Sequence, residues 1–194
     1  MIKKSSSNSP NVKRPCRAWC KSSSFYHSSN ITPYYSLLKY PKELIYICQN
    51  MQNIKFIGAT KSLLNEDTIS SVLLSFAGRE GYKIDKLEYN FVDSEKMYSL
   101  NKDYLNHSTD TDIITFDYST NKAILAEVYV SKEMMVENAV FHSQTTENEA
   151  IRLVSHALFH CMGYKDKSAK EKELMRSKEE DFLSAVSRET RQNV

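Results

Sequence analysis

At 194 residues and a formal charge of +2, the chain suits one globular domain, long enough to bury a core. The longest apolar run of its N-terminal part, 44–48, is too short for a secretory signal core or a membrane span. Four cysteines without regular spacing argue against a disulfide framework and for a reducing, cytoplasmic setting.

The charge is unevenly spread. Residues 1–50 carry eight Lys/Arg against Glu43 alone, net +7, and hold all four prolines and ten serines. The remainder is net −5 and holds all four glycines. Such a break marks a boundary between a basic, Ser-rich disordered extension (1–50) and a globular domain (51–194). The extension is transit-like in composition, or lies upstream of a start at Met51. Its Cys16-x3-Cys20 pair with His27 lacks the matched ligands of a zinc site and reads as unrelated thiols.

Within the domain, alternation over 53–58 predicts a short strand. Leu63, Leu64, Ile69, Val72, Leu73 and Phe76 share one side of a helix over 61–77, closed by Gly78 and Gly81. Leu87, Tyr89 and Phe91 alternate on a strand over 87–92. A helix over 93–105 follows, with Asp93 or Ser94 as cap and Met97, Leu100 and Leu105 on one face. The β-branched and aromatic stretches 112–118 and 124–130 predict two strands joined by a turn at 119–122, and 131–141 a helix. His142 reads as a plain helix-end residue. Thr146 with Glu149 three residues on predicts a capping box at the start of the next helix, whose buried stripe is Ala150, Ile151, Val154, Leu158 and Met162. That helix ends at Gly163 in a left-handed turn. A charged helix over 168–188 closes the chain, with Leu174, Met175, Phe182, Leu183 and Val186 as contact side and its charges as a solvated face. This order predicts an α+β fold, a small sheet covered by helices.

The chemistry sits at the end of the penultimate helix. Arg152, His156 and His160 share a line beside the apolar stripe. Residues four apart lie about 5–6 Å apart at Cβ, so both imidazoles reach one ion at about 2.0–2.1 Å. Asp166, six residues beyond His160, folds back past Gly163 as a third ligand. Three N/O donors with an open fourth position describe a catalytic divalent-metal site, most often one zinc ion. Ala157 stands where a metallopeptidase of the His-Glu-x-x-His kind has its general base, which demotes that activity.

The segment 152–166 resembles the YbeY family of metal-dependent endoribonucleases, whose signature is His-Gly-x-Leu-His-Leu-x-Gly-Tyr-Asp-His. A second block is similar too: Leu100-Asn101-Lys102-Asp103-Tyr104, then Thr111-Asp112-Ile113-Ile114-Thr115-Phe116, against Leu-Asn-x-x-Tyr and Thr-Asp-Val-Leu-Ser-Phe. Ala126-Glu127-Val128-Tyr129-Val130-Ser131 weakly resembles the family strand Gly-Asp-Ile-x-Ile-Ser. The resemblance spans about 51–190 and implies a zincin-like fold with a mixed four-stranded sheet, bound zinc, and a role in rRNA maturation and ribosome quality control. The implied partner is rRNA or the small ribosomal subunit. Three departures stand out. Ala157 replaces a Gly, Asp166 stands where a third His is usual, and Leu105 takes the place of an Arg credited with catalysis.

Lys102, His107 or Arg152 then supply positive charge in its stead, with His156, His107 and Lys102 as catalytic candidates and Arg152, Lys165 and Lys167 as an RNA patch. Each has a plainer alternative: a surface loop for His107, pairing with Glu149 for Arg152. Thr111 and Asp112 either orient a metal-bound His or cap the strand. Three functions stay open: a single-strand-specific endoribonuclease, another zinc hydrolase such as a metallopeptidase, and a non-catalytic zinc-containing ribosome-associated factor.

Overall fold

A computed structural model describes residues 50–59, 63–105 and 111–192, all of them within one compact unit that runs from Gln49 to Val194. His107, Cys16, Cys20 and His27 lie outside the described residues, as does the extension 1–49.

Four strands form one mixed sheet: β1 (Ile54–Ile57), β2 (Lys83–Val92), β3 (Ile113–Asp117) and β4 (Ala123–Ser131), in the spatial order β1-β2-β4-β3. β1 and β4 both run parallel to β2, and β3 is antiparallel to β4 at the edge. The β3–β4 connection is a tight turn in which Asn121 (φ 51) and Lys122 (φ 62) both take positive φ. Two successive positive-φ residues give a turn whose twist matches that of the strands it joins. Parallel pairing of β1 with β2 needs a crossover, and α1 (Glu66–Arg79) supplies it. Asn65 caps α1 by accepting from the Thr68 amide, so the helix begins five residues later than the apolar pattern predicts. β2 in turn begins four residues before the alternation at Leu87.

Strand parity divides the core. Leu87, Tyr89 and Phe91 of β2 stand beside Ala126, Val128 and Val130 of β4 on one face, in register and buried. α4 (Thr146–Cys161) belongs to this side, held by the Tyr89 hydroxyl, which donates to the Val154 carbonyl at 2.9 Å. Phe76 of α1, Phe159 of α4 and Phe182 of α5 (Ala169–Gln192) meet with centroids 5.1 to 6.4 Å apart. Each fully buried ring of this kind contributes about 2–3 kcal/mol. The opposite face is covered by α2 (Ser94–Leu100), whose Met97 and Leu100 pack on Ile114. A π-helical turn, Asn101–Leu105, extends α2 and carries Lys102 on the surface. α3 (Lys132–Phe141), capped by Ser131, precedes α4.

Two expectations for the last helices are corrected. α4 is capped by Thr145, which accepts from the Asn148 amide, and not by a Thr146–Glu149 box. Glu149 is buried and turned to Arg152, so it is not free to reach back to a cap. The reciprocal box occurs one helix later: Ser168 accepts from the Glu171 amide and Glu171 from the Ser168 amide. On α5, Leu174 is exposed rather than in contact with the core.

Candidate metal centre

α4 fixes the two histidines because, from Glu149 to Cys161, every other side chain except that of Arg152 is buried, which sets its rotation about its axis. Ile151, Val154 and Leu158 face the core, and His156 and His160 follow on the flank that opens to a cleft. Gly163 then takes φ 91, a left-handed conformation that turns the chain after one residue beyond the Met162 cap. Asp166 returns beside the rings as the sequence predicts, its Oδ2 at 4.0 Å from His156 Nε2 and 3.9 Å from His160 Nε2.

Both outer ring nitrogens face acceptors. His156 Nδ1–H donates to Glu179 Oε1 at 2.6 Å, and His160 Nδ1–H to the Tyr164 carbonyl at 2.9 Å. A neutral imidazole has one N–H, so these partners assign it to Nδ1 in each ring and leave a lone pair on each Nε2. The two Nε2 atoms face each other at 2.9 Å with a carboxylate oxygen beside them. Lone pairs so close repel unless positive charge sits among them. A triangle with sides 2.9, 3.9 and 4.0 Å has its centre about 2.1 Å from every corner. Zinc takes His nitrogen at about 2.0–2.1 Å and carboxylate oxygen at about 2.0–2.2 Å, so the donor set fits such an ion in both chemistry and size. His156, His160 and Asp166 are the one group of this kind among the described residues.

The cleft holds about 430 Å³, and its wall opposite the three donors is the edge strand β3 through Ile113, Thr115 and Asp117. These odd-numbered residues pair with Val130, Val128 and Ala126, on the face toward α4, which is why they border the site. Lys165 and Lys167 flank Asp166 and are exposed. Lys102 is exposed on its turn after α2.

Arg152 sits behind the histidines. Its Nε and Nη2 grip both oxygens of the buried Glu149 at 2.9 and 2.6 Å, with Asp112 at 3.5 Å and Glu179 at 3.9 Å. Burial opposes the guanidinium charge, but Glu149, Glu179 and Asp112 together hold its pKa above the ordinary arginine value. Asp112 also accepts from Asn138 of α3 at 3.1 Å, so its carboxylate is engaged by Arg152 and Asn138 and not by either histidine ring. The residue that does meet a ring is Glu179, which the pattern of α5 charges had assigned to solvent. It is 6 % exposed. Its spacing carries the signal: Met175, Glu179, Phe182 and Val186 fall on one helical stripe, so a carboxylate stands at a core position. Cys161 is buried beside the site; burial, then Asp117, pushes its thiol up to about 12, so it presents no thiolate at neutral pH.

A mixed four-stranded sheet, a His-x3-His helix beside its edge strand and a carboxylate returned by a left-handed turn mark a zincin-like α+β protein with a group that could hold a metal ion. The family described as Endoribonuclease YbeY matches residues 49–187, and the chain belongs to that family. It is 41% identical to Endoribonuclease YbeY of Flavobacterium johnsoniae over 118 residues, 61% of this chain and 82% of that one. The Cytophaga hutchinsonii protein of the same name is 41% identical over 117 residues, 60% of this chain and 82% of its own. The solution structure of TM1509 from Thermotoga maritima superposes with a TM-score of 0.51 and 26% identity, over 72% of this chain and 93% of that one.

Proposed function

We propose that this chain is a zinc-dependent, single-strand-specific endoribonuclease of rRNA maturation, acting at the 3′ end of 16S rRNA and in ribosome quality control in the cytoplasm. The observation that carries the reading is the pair of Nε2 lone pairs facing at 2.9 Å beside Asp166, in a chain of the YbeY family. The family relatives are named endoribonucleases, which supports a phosphodiester substrate over a peptide. No helix among the described residues is long and apolar enough to cross a membrane.

In this reading His156, His160 and Asp166 hold one zinc ion, which when bound supplies a Lewis acid that activates water and offsets charge developing on the phosphate. The chain's own residues do the rest. Lys165 and Lys167, on either side of Asp166, steer the RNA backbone into the cleft, and the open edge of β3 gives the strand a wall to lie against. Lys102 and His107 are the candidate cations in the sequence before β3, where Leu105 brings no charge. Arg152 is committed to Glu149, Asp112 and Glu179, which makes Lys165 and Lys167 the better-placed phosphate contacts. Asp117 is the cleft-wall carboxylate a metallopeptidase would recruit in place of the missing Glu at Ala157.

The test is metal analysis of the purified full chain, with cleavage assays on single-stranded RNA, 16S precursor RNA and casein, for wild type and His156→Ala. One equivalent of zinc and RNA cleavage are expected for the wild type, both lost in the variant. Casein cleavage without RNA cleavage establishes the peptidase, and full zinc occupancy in the variant removes His156 from the centre.

A further inference from the structure

We infer that Glu179 is a positioning residue for the metal centre, and that this α5 carboxylate, set between Arg152 and His156 of α4, forms a charge relay that tunes the first ligand. The inference rests on the metal reading above and concerns a residue that the ligand motif does not contain. Its observations are geometric. The Glu179 carboxylate is 8% exposed and meets His156 Nδ1 at 2.6 Å, well inside the distance of a charge-assisted hydrogen bond. Its second neighbour is the Arg152 guanidinium at 3.9 Å, itself 25% exposed and tied by Glu149 and Asp112 to its own helix and to the segment entering β3.

Each link has a consequence. A carboxylate on Nδ1 fixes the tautomer that leaves the Nε2 lone pair toward His160 and Asp166. It also makes that lone pair a stronger donor, because negative charge behind the ring favours positive charge in front of it. Glu179 is itself paired, by the Arg152 guanidinium at 3.9 Å. The two ligating rings are held unequally. His160 is backed by a neutral backbone carbonyl and His156 by a full carboxylate. Glu179 therefore acts on affinity through His156 alone. With Asp166 as third ligand the centre already contains one anionic donor, and Glu179 adds a second negative charge without taking a coordination position.

Glu149 supplies the contrast, since it is also buried and pairs with Arg152 more closely, at 2.6 and 2.9 Å against 3.9 Å for Glu179, but has no bond to either histidine. A structural role predicts the same phenotype for both carboxylates, and the relay predicts opposite ones. The experiment measures zinc affinity by competition with a chromophoric chelator, and unfolding of the metal-free chain by urea, on the full-length protein. Glu179→Ala is expected to weaken zinc about tenfold to a hundredfold. Glu179→Gln, which keeps an acceptor oxygen on Nδ1–H but no charge and matches the shape of Glu, is expected to weaken it about three- to tenfold. Glu149→Gln is expected to lower the urea midpoint while leaving zinc affinity within about twofold. The visible absorption of the cobalt-substituted protein should change in both Glu179 variants and not in Glu149→Gln.

Zinc affinity within twofold of wild type in both Glu179 variants overturns the inference, as does equal weakening by Glu149→Gln and Glu179→Ala. His156→Ala separates the two levels. If it binds zinc like the wild type, the metal reading itself has failed; if it loses zinc while the Glu179 variants keep it, only the relay has.

Discussion

The Asp166 side chain is 45% exposed and carries a formal charge that a histidine in its place lacks. A centre with two imidazoles and one carboxylate is one unit less positive than a three-imidazole centre, and so a weaker Lewis acid. Asp166→His should keep zinc and move the acidic limb of the pH–rate profile to lower pH. An unchanged profile at full occupancy would remove Asp166 from the ligand set. At Tyr89 the titration concerns stability instead. Complete burial, then Cys161, holds this phenol well above the usual tyrosine range. A raised folded-state pKa gives stability that is fully present below the unfolded value, about 10, and is lost as pH rises further. Tyr89→Phe should cost about 1 kcal/mol at neutral pH through the lost bond to Val154, and its stability should fall less steeply above pH 10 in urea titrations. The return of Asp166 beside the two rings was legible from spacing, because a helix end, a glycine and a carboxylate leave few geometries. Glu179 was not, because a glutamate among many charges on α5 looks solvated until its place on the apolar stripe is counted.

Helix ends decide where His156, His160 and Asp166 stand. The competing caps at Thr145 and Thr146 show why spacing alone misplaces a boundary by one residue: both precede a suitable partner, and the pull of Arg152 on Glu149 settles the choice. At the other end of α4 no such ambiguity arises, since Gly163 is the sole glycine there and φ 91 requires it. The residues just after it are doubly tied. The Tyr164 carbonyl accepts from His160, while its hydroxyl donates to Glu80, which also binds Lys178 at 2.7 Å. A Cβ at Gly163 meets nothing within 4 Å, so Gly163→Ala acts through backbone strain of about 1–2 kcal/mol. Relaxing that strain moves the Tyr164 carbonyl and Asp166, and zinc affinity should fall together with the urea midpoint. Gly58→Ala provides the control: its Cβ would lie 2.6 Å from the Phe91 carbonyl oxygen, and neither residue lines the cleft of His156, His160 and Asp166. It should destabilise the fold and leave zinc affinity unchanged. Equal zinc affinity in the two variants would mean the turn does not place the ligands.

Across the whole molecule, the identity of the strands was legible but not all of their bounds or their order. Alternation in 87–92 and the β-branched, aromatic stretch 124–130 mark strands whichever neighbour each takes, and only long-range pairing places β4 between β2 and β3. That order leaves β3 as the edge strand of the described sheet beside the histidines. The same scale governs how RNA is held. Residues 51–194 are net −5, so attraction to a polyanion must come from local cations or from the basic residues 1–50. Lys165 and Lys167 are the exposed cations on the turn that carries a ligand. Each phosphate contact on a single strand contributes a slope of about −0.7 to log affinity against log salt. Lys165→Ala/Lys167→Ala should therefore flatten the slope by about 1.4, weaken binding equally across sequences, and leave the cleavage position unchanged. Filter binding at several salt concentrations, with a catalytically silent background such as His156→Ala, measures the slope without turnover. If the double variant keeps the wild-type slope, the phosphates are held elsewhere. Removing residues 1–50 then tests the other source of positive charge, because that segment carries eight Lys/Arg.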